Sequence, residues 1–274
     1  MKFKIKIIIS ILTLIIDMYC GFIFINMHNS YYSPTSPKID ISSIFNKNIL
    51  TETDYSLLFE QTGLAKPAID DLLSQKNGPN KIKSYQTGYF TKQRIFTEKL
   101  STFTSQESLM VNGSMNNRSF QIAPIRNGDI LLTKSTHTLY WRHGHCGIVI
   151  DAKNGITLES LEPGTVSMQR NISIWQSYPT FKLMRLKGVN QEKLNEIASY
   201  AAKNYMGIKY GLLTSKKSSK PESINCSQLL YQVFQHYGYN IDSNKGIFVT
   251  PEDIAKSKLL DTVQIYGFNP QNSW

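Results

Sequence analysis

Cysteine is scarce. The 274-residue chain holds three, Cys20, Cys146 and Cys226, so they cannot all pair, and the disulfide framework of a small secreted domain is excluded. Neither a Cys-x-x-Cys nor a His-Glu-x-x-His spacing occurs, which removes the common zinc scaffolds. A glycine-rich nucleotide loop and internal repeats are missing too, and no cofactor is expected. Helix-turn-helix, zinc-finger and RRM-type aromatic motifs are likewise lacking, so no nucleic-acid partner is expected despite a formal net charge of +10.

Hydrophobic residues make up 41% of the chain, enough for one good core plus an appendage. A basic exterior suits polyanionic cell-wall polymers or an anionic membrane surface, and it is equally the mark of a plain solvated face. Lys2, Lys4 and Lys6 precede a run from Ile7 to Ile25 broken mainly by Asp17, long enough to cross a bilayer as a helix. Tyr19, Cys20 and Gly21 make a poor cleavage site. The expectation is an uncleaved single-pass membrane anchor over residues 1–27 with the remainder outside the cytoplasm; a cleaved signal segment and a secreted protein form the alternative.

Residues 28–50, with Tyr31, Tyr32, Pro34, Pro37 and several serines, read as a linker. An N-terminal extension over 51–123 begins helically: Leu57 and Leu58 lead to Gly63, and Pro67 opens a turn carrying Ile69, Leu72 and Leu73, which Gly78-Pro79-Asn80 breaks. Residues 84–120 are expected to pack against the following domain or to border its cleft, with a turn at Asn112 to Asn117. Further strands are expected at Thr165 to Gln169 and Thr180 to Leu186. A helix carries Leu194, Ile197, Ala198, Ala201 and Tyr205 on one face and stops at Gly207. Ser215 to Ser223 reads as a solvated loop, Thr250-Pro251-Glu252-Asp253 as a capped helix start, and 267–274 as a tail.

The chemistry concentrates in three places. After Cys226 the apolar residues Leu229, Leu230, Val233, Phe234 and Tyr237 fall at helical spacing closed by Gly238. A cysteine in that first turn feels the positive end of the helix, which favours the nucleophilic thiolate. Taken alone, Cys226 reads better as a small buried hydrophobe, as most free cysteines are. Cys146 to Ile150 reads as a buried strand, so His143 and His145 share one face and Cys146 points away. A metal on His137, His143, His145 and Cys146 is therefore not expected, nor is a disulfide between Cys146 and Cys226, which would silence the thiol. After the turn Asp151 to Gly155, a second strand alternates Ile156 and Leu158 with Thr157 and Glu159, placing Glu159 beside the histidine face. A carboxylate there fixes the tautomer of an imidazole and stabilises its cation. Glu162, beside Pro163-Gly164, is the rival carboxylate and is expected to face solvent.

These stretches together resemble the circularly permuted papain-fold hydrolases related to the NlpC-type cell-wall peptidases, in the YiiX/YebB-like branch. The matching pieces are Asn127-Gly128-Asp129-Ile130-Leu131-Leu132, Gly144 to Ile150, Leu158 to Val166, Tyr205 to Gly211, Asn225 to Leu230 and Val249 to Ala255. The resemblance covers 124–266. It implies an α+β fold in which an antiparallel sheet packs against helices, preceded by the N-terminal membrane helix and the small helical extension. It also implies Cys226 as nucleophile, His145 as base, Glu159 as third member, and Tyr210 near the substrate, where a packing role fits equally. Unpermuted relatives carry Asp-Cys-Ser-Gly, whereas this chain has Asn225-Cys226-Ser227-Gln228. The implied activity is a cysteine peptidase or amidase acting on cell-wall peptides. A hydrolase or acyltransferase of lipid-linked substrates and an inactive cell-wall binding domain are the alternatives.

Overall fold

The computed structural model describes residues 2–28, 31–91, 93–102, 104–110, 120–138, 141–212, 214–216, 222–244, 246–272 and 274. Helix α1 (Lys2–His28) is followed by three short helices, α2 (Glu52–Thr62), α3 (Lys66–Leu73) and α4 (Gly78–Phe90). Gly63 ends α2 in the left-handed conformation, as the sequence pattern predicts, and Thr51 and Asp54 close a capping box at its start. Gly78-Pro79 starts α4 rather than breaking a longer helix, because proline at the first turn lacks only an N–H that has no helical partner there.

A hairpin of β1 (Arg94–Lys99) and β2 (Thr104–Met110) joins β4 (Thr136–Thr138) in a three-stranded sheet. The main sheet is six-stranded and uses β3 (Ile130–Thr133), β5 (His145–Asp151), β6 (Ile156–Glu159), β7 (Met168–Asn171), β8 (Phe181–Leu186) and β11 (Leu260–Tyr266). Its order is β11-β8-β3-β5-β6-β7, antiparallel throughout. Helices α5 (Gln191–Tyr205), α6 (Cys226–His236) and α7 (Pro251–Ala255) complete the domain with a short parallel pair, β9 (Lys209–Tyr210) and β10 (Ser223–Ile224). This is the α+β arrangement of antiparallel sheets against helices.

Strand alternation divides the core in two. Ile130, Leu132, Ile148 and Met184 face α5 and α6, while Leu131, Val149, Leu183 and Phe181 face the residues of α2 to α4. The extension therefore covers the second face of the sheet. An ion-pair cluster fixes it there: Arg185 of β8 donates to both oxygens of buried Asp129 at 2.7 and 2.8 Å and to Asp71 of α3 at 3.0 Å.

Several expectations change. Among the described residues no helix is long and apolar enough to cross a membrane, so the N-terminal membrane helix is not supported. Asp17 falls within the described part of α1, and a charge at mid-bilayer opposes insertion by about 2.5 to 3.5 kcal/mol. The segment expected as a linker is pinned instead, since Ile41 and Ile44 enter the core around a 3₁₀ turn at Ser42–Asn46. Residues 84–120, which lack visible alternation, supply the end of α4 and the β1–β2 hairpin. The turn expected at Asn112 to Asn117 and residues 217–221 of the loop before Cys226 lie outside the described residues. Part of the tail is docked, with Phe268 buried and its ring 5.3 Å from that of Trp274.

Asp129→Asn leaves Arg185 buried beside a neutral amide. It is expected to cost about 3 kcal/mol in urea unfolding, the scale for breaking one side of a buried pair. An unchanged midpoint would mean that the cluster does not hold the extension.

Candidate active site

Glu159 is the last residue of β6 and sits directly opposite Gly147 of β5. Two residues upstream of that glycine, on the same face, His145 opens β5. The ring of His145 meets the carboxylate, with Nε2 2.9 Å from Oε2 of Glu159. Both side chains are buried. Gly147 makes the approach possible: a Cβ there would stand 2.8 Å from Glu159 Cγ and 3.2 Å from Trp175 Cζ2.

A carboxylate so deeply buried is costly unless its lone pairs are taken. Besides His145, Glu159 accepts from the Thr157 hydroxyl at 2.6 Å, from Trp175 Nε1 at 2.8 Å and from Arg170 Nη1 at 3.0 Å. Burial pushes its pKa up, but His145, Arg170 and Thr157 outweigh burial and hold it at about 2. Trp175 also stacks on the imidazole, with ring centroids 5.4 Å apart and planes at 16°. Thr157, Arg170 and Trp175 were not legible as site residues. Thr157 shares a strand face with Glu159 and carried a weak signal; Trp175 lies in a 3₁₀ turn, Ile172–Ser177, and carried none.

Cys226 is the first residue of α6. Asn225 caps the helix, its side-chain oxygen accepting from Gln228 N at 2.9 Å, so asparagine does the capping work of an aspartate at this position. Ser160, adjacent to Glu159, donates to the carbonyl of Ile224 at 2.8 Å and ties the carboxylate strand to the start of α6. Hydrogen bonding and charge couple the Cys226 thiol to His145, each favouring the charged form of the other. With Nε2 held by Glu159, Nδ1 is the nitrogen left for it.

The three residues that the sequence singled out thus stand in one chain of contacts. Burial lowers the His145 pKa, yet hydrogen bonds to Cys226 and Glu159 reverse this and raise it to about 9. The Cys226 thiol is held well below its usual range by hydrogen bonds from Cys146 and His145, against burial. The resting state near neutrality is therefore thiolate beside imidazolium. His145 is raised above its ordinary 6.5, so its contribution to stability is complete below that value and is lost as pH rises through about 9. Glu159 is depressed from 4.5, so its contribution is present above that value and is lost as pH falls toward about 2.

Cys146 corrects the strand-based expectation. Its side chain leaves the histidine face, but α6 packs on the face it enters, so Cys146 and Cys226 share one buried cluster. Both cysteines are free. Glu162 also departs from its expected exposure: it is half-buried, and its Oε2 is buried without a hydrogen-bond partner. His143 contacts Thr138 Oγ1 at 3.0 Å through Nε2 and the Gly144 carbonyl at 2.7 Å through Nδ1, and burial lowers its pKa. Tyr210 pairs with Ile224 across β9 and β10, two residues from Cys226. His143 and Tyr210 line a cleft of about 300 Å³ with Leu161, Pro163, Leu212 and Thr104. Ser101 and Thr102 of the extension border the same cleft.

No family model matches the chain, and no curated protein matches it. Among solved structures, that of the metalloprotein YiiX from Escherichia coli O157:H7 (DUF1105) is similar over 51% of this chain and 97% of that one, at 19% identity and a TM-score of 0.41. Likeness at this level carries no function across. Among the described residues, no group of three or more His, Cys, Asp or Glu is placed to hold a metal ion.

Limiting iodoacetamide at neutral pH should label Cys226 ahead of Cys146, as read by peptide mass analysis; an ordinary thiol is only about 3% ionised at pH 7. Labelling confined to Cys146 contradicts the charge assignment. Glu159→Gln should lower the pKa of His145 by about one unit or more, followed by ring-proton NMR, while Glu162→Gln leaves it in place.

Proposed function

We propose that this chain is an extracytoplasmic cysteine hydrolase of the permuted NlpC-type, papain-like kind, cleaving amide bonds in cell-wall peptides through a thioester intermediate. The observation that carries the proposal is the buried Glu159–His145–Cys226 chain, with a depressed thiol at the first turn of a helix.

The steps follow from the charges. The Cys226 thiolate attacks the carbonyl carbon, and the oxyanion that develops is stabilised by the backbone N–H groups of the first turn of α6. His145 delivers its Nδ1 proton to the leaving amine, giving a thioester and a neutral imidazole. Water, deprotonated by His145, then attacks the thioester and releases the acid and the thiolate. Glu159 stays ionised throughout and stabilises the imidazolium on either side of the cycle. Tyr210, on the cleft wall, is positioned for substrate contact.

The net charge of +10 suits a polyanionic wall, and a wall substrate requires the domain outside the cytoplasm. A second reading has its own support. The cleft is bordered by Leu161, Pro163, Tyr210 and Leu212 with hydroxyl-bearing Thr104 and Thr138, a lining suited to an acyl chain, so a lipid ester or amide is the alternative substrate.

Incubating the protein with cell-wall fragments and, separately, with lipid esters, followed by mass analysis of products, decides between the two. Cys226→Ala should lower turnover of the true substrate at least about 1,000-fold with the fold retained. Equal turnover by the variant would refute the hydrolase.

A further inference from the structure

Three hydrogen bonds run in series along the cleft, and one end sets the direction of all of them. Thr104 opens β2 and stands opposite Thr138, the last residue of β4, with their hydroxyl oxygens 3.1 Å apart. Beyond Thr138 the chain turns back: Thr138 N donates to the Trp141 carbonyl at 2.9 Å, and Trp141 N to the Thr138 carbonyl at 2.8 Å. The turn returns His143 to Thr138, its Nε2 3.0 Å from the Thr138 hydroxyl and its Nδ1 2.7 Å from the Gly144 carbonyl. Thr104, Thr138 and His143 all line the cleft.

A carbonyl only accepts, so Nδ1 carries a proton. A neutral imidazole has a single N–H, which leaves Nε2 a bare lone pair, and burial favours that neutral form. The Thr138 hydroxyl must then donate to Nε2. Its proton is engaged there, so its oxygen can only accept from Thr104, whose proton is engaged in turn. Every proton of the series points toward His143, and Thr104 keeps only lone pairs for the cleft. Among the described residues no other donor reaches its hydroxyl oxygen.

We propose that Thr104 is a specificity-determining residue, held as a hydrogen-bond acceptor through Thr138 and His143, that takes an N–H of a peptide substrate and disfavours the corresponding ester. The role rests on the proposed hydrolase reading and decides its choice between amide and ester. Thr104 is buried, so a substrate seated on it excludes water from the oxygen. A substrate N–H replaces that water; an ester oxygen meets lone pairs and leaves them unpaired. No such series fixes the hydroxyls of Ser101, Thr102 and Tyr210 elsewhere in the lining, and a hydroxyl that rotates serves a donor or an acceptor alike. Because Thr104 belongs to the extension, the extension supplies part of the site.

The test compares alkylation of Cys226 in the full chain at neutral pH by two iodoacetyl probes of one shape. One is iodoacetyl-alanyl-alanine methylamide, and in the other an oxygen replaces each N–H. Peptide mass analysis gives the rates, each divided by the rate with glutathione so that intrinsic reactivity cancels. Wild type should favour the amide probe about tenfold on this scale, the size of one hydrogen bond. Thr104→Val keeps the shape and removes the hydroxyl; Thr138→Val keeps Thr104 and lets its hydroxyl rotate. Each should reduce the preference at least about threefold, and Thr104→Ser should retain it. Thermal unfolding confirms that the variants are folded, and either valine variant suffices if the other fails. A threonine that merely joins the hairpin to β4 would change both rates together and leave their ratio alone. A wild-type ratio near that of glutathione, or one unmoved by the valine variants, would overturn the role while a reactive Cys226 keeps the hydrolase reading. A Cys226 no more reactive than an ordinary thiol removes that reading and the role with it.

Discussion

A carboxylate buried beneath the sheet is the constraint around which this domain is arranged. Glu159 carries its charge where water does not reach, and a charge so placed survives only with its oxygens fully engaged. His145, Thr157, Trp175 and Arg170 engage them. They come from β5, β6, a 3₁₀ turn and β7, so the carboxylate requires the register of three strands and the docking of one turn. Gly147, with no side chain between Glu159 and Trp175, is part of the same requirement.

From that carboxylate the electrostatics run outward. It stabilises an imidazolium, the imidazolium stabilises a thiolate, and the thiolate lies at the positive end of α6. Each member makes the next charge less costly, and none would be stable in isolation at such depth. The arrangement also explains why the extension is not a detached appendage. α2 to α4 cover the face of the sheet that holds Trp175, Arg185 and Asp71 lock them to it, and the β1–β2 turn reaches the cleft beside His143. Site geometry and extension therefore share one core.

The parts of this that were legible in the sequence are those set by local periodicity. Alternation in β5 and β6 placed His145 and Glu159 on one face, and helical spacing after Cys226 placed the thiol at a helix start. Gly63 and Gly238 marked the ends of α2 and α6, and the Thr250 cap marked the start of α7. What stayed hidden depends on contacts distant in sequence. Alternation sent Cys146 away from His145 correctly, but could not show that α6 packs on the side it enters. Arg170 and Trp175 reach Glu159 only through the fold. At the N-terminus, the apolar run of α1 outweighed Asp17 in the reading of the sequence, and among the described residues no helix is long and apolar enough to cross a membrane.

The central claim is that Cys226 and His145 rest as thiolate and imidazolium because Glu159 is charged. The ultraviolet absorbance of thiolate, taken as wild type minus Cys226→Ala across a pH titration, measures this directly. The account predicts that the difference signal is already present in mildly acidic solution and persists through neutrality, as expected for a thiol held well below its usual range. A signal that emerges only in the range of an ordinary cysteine, near pH 8.5, would contradict it.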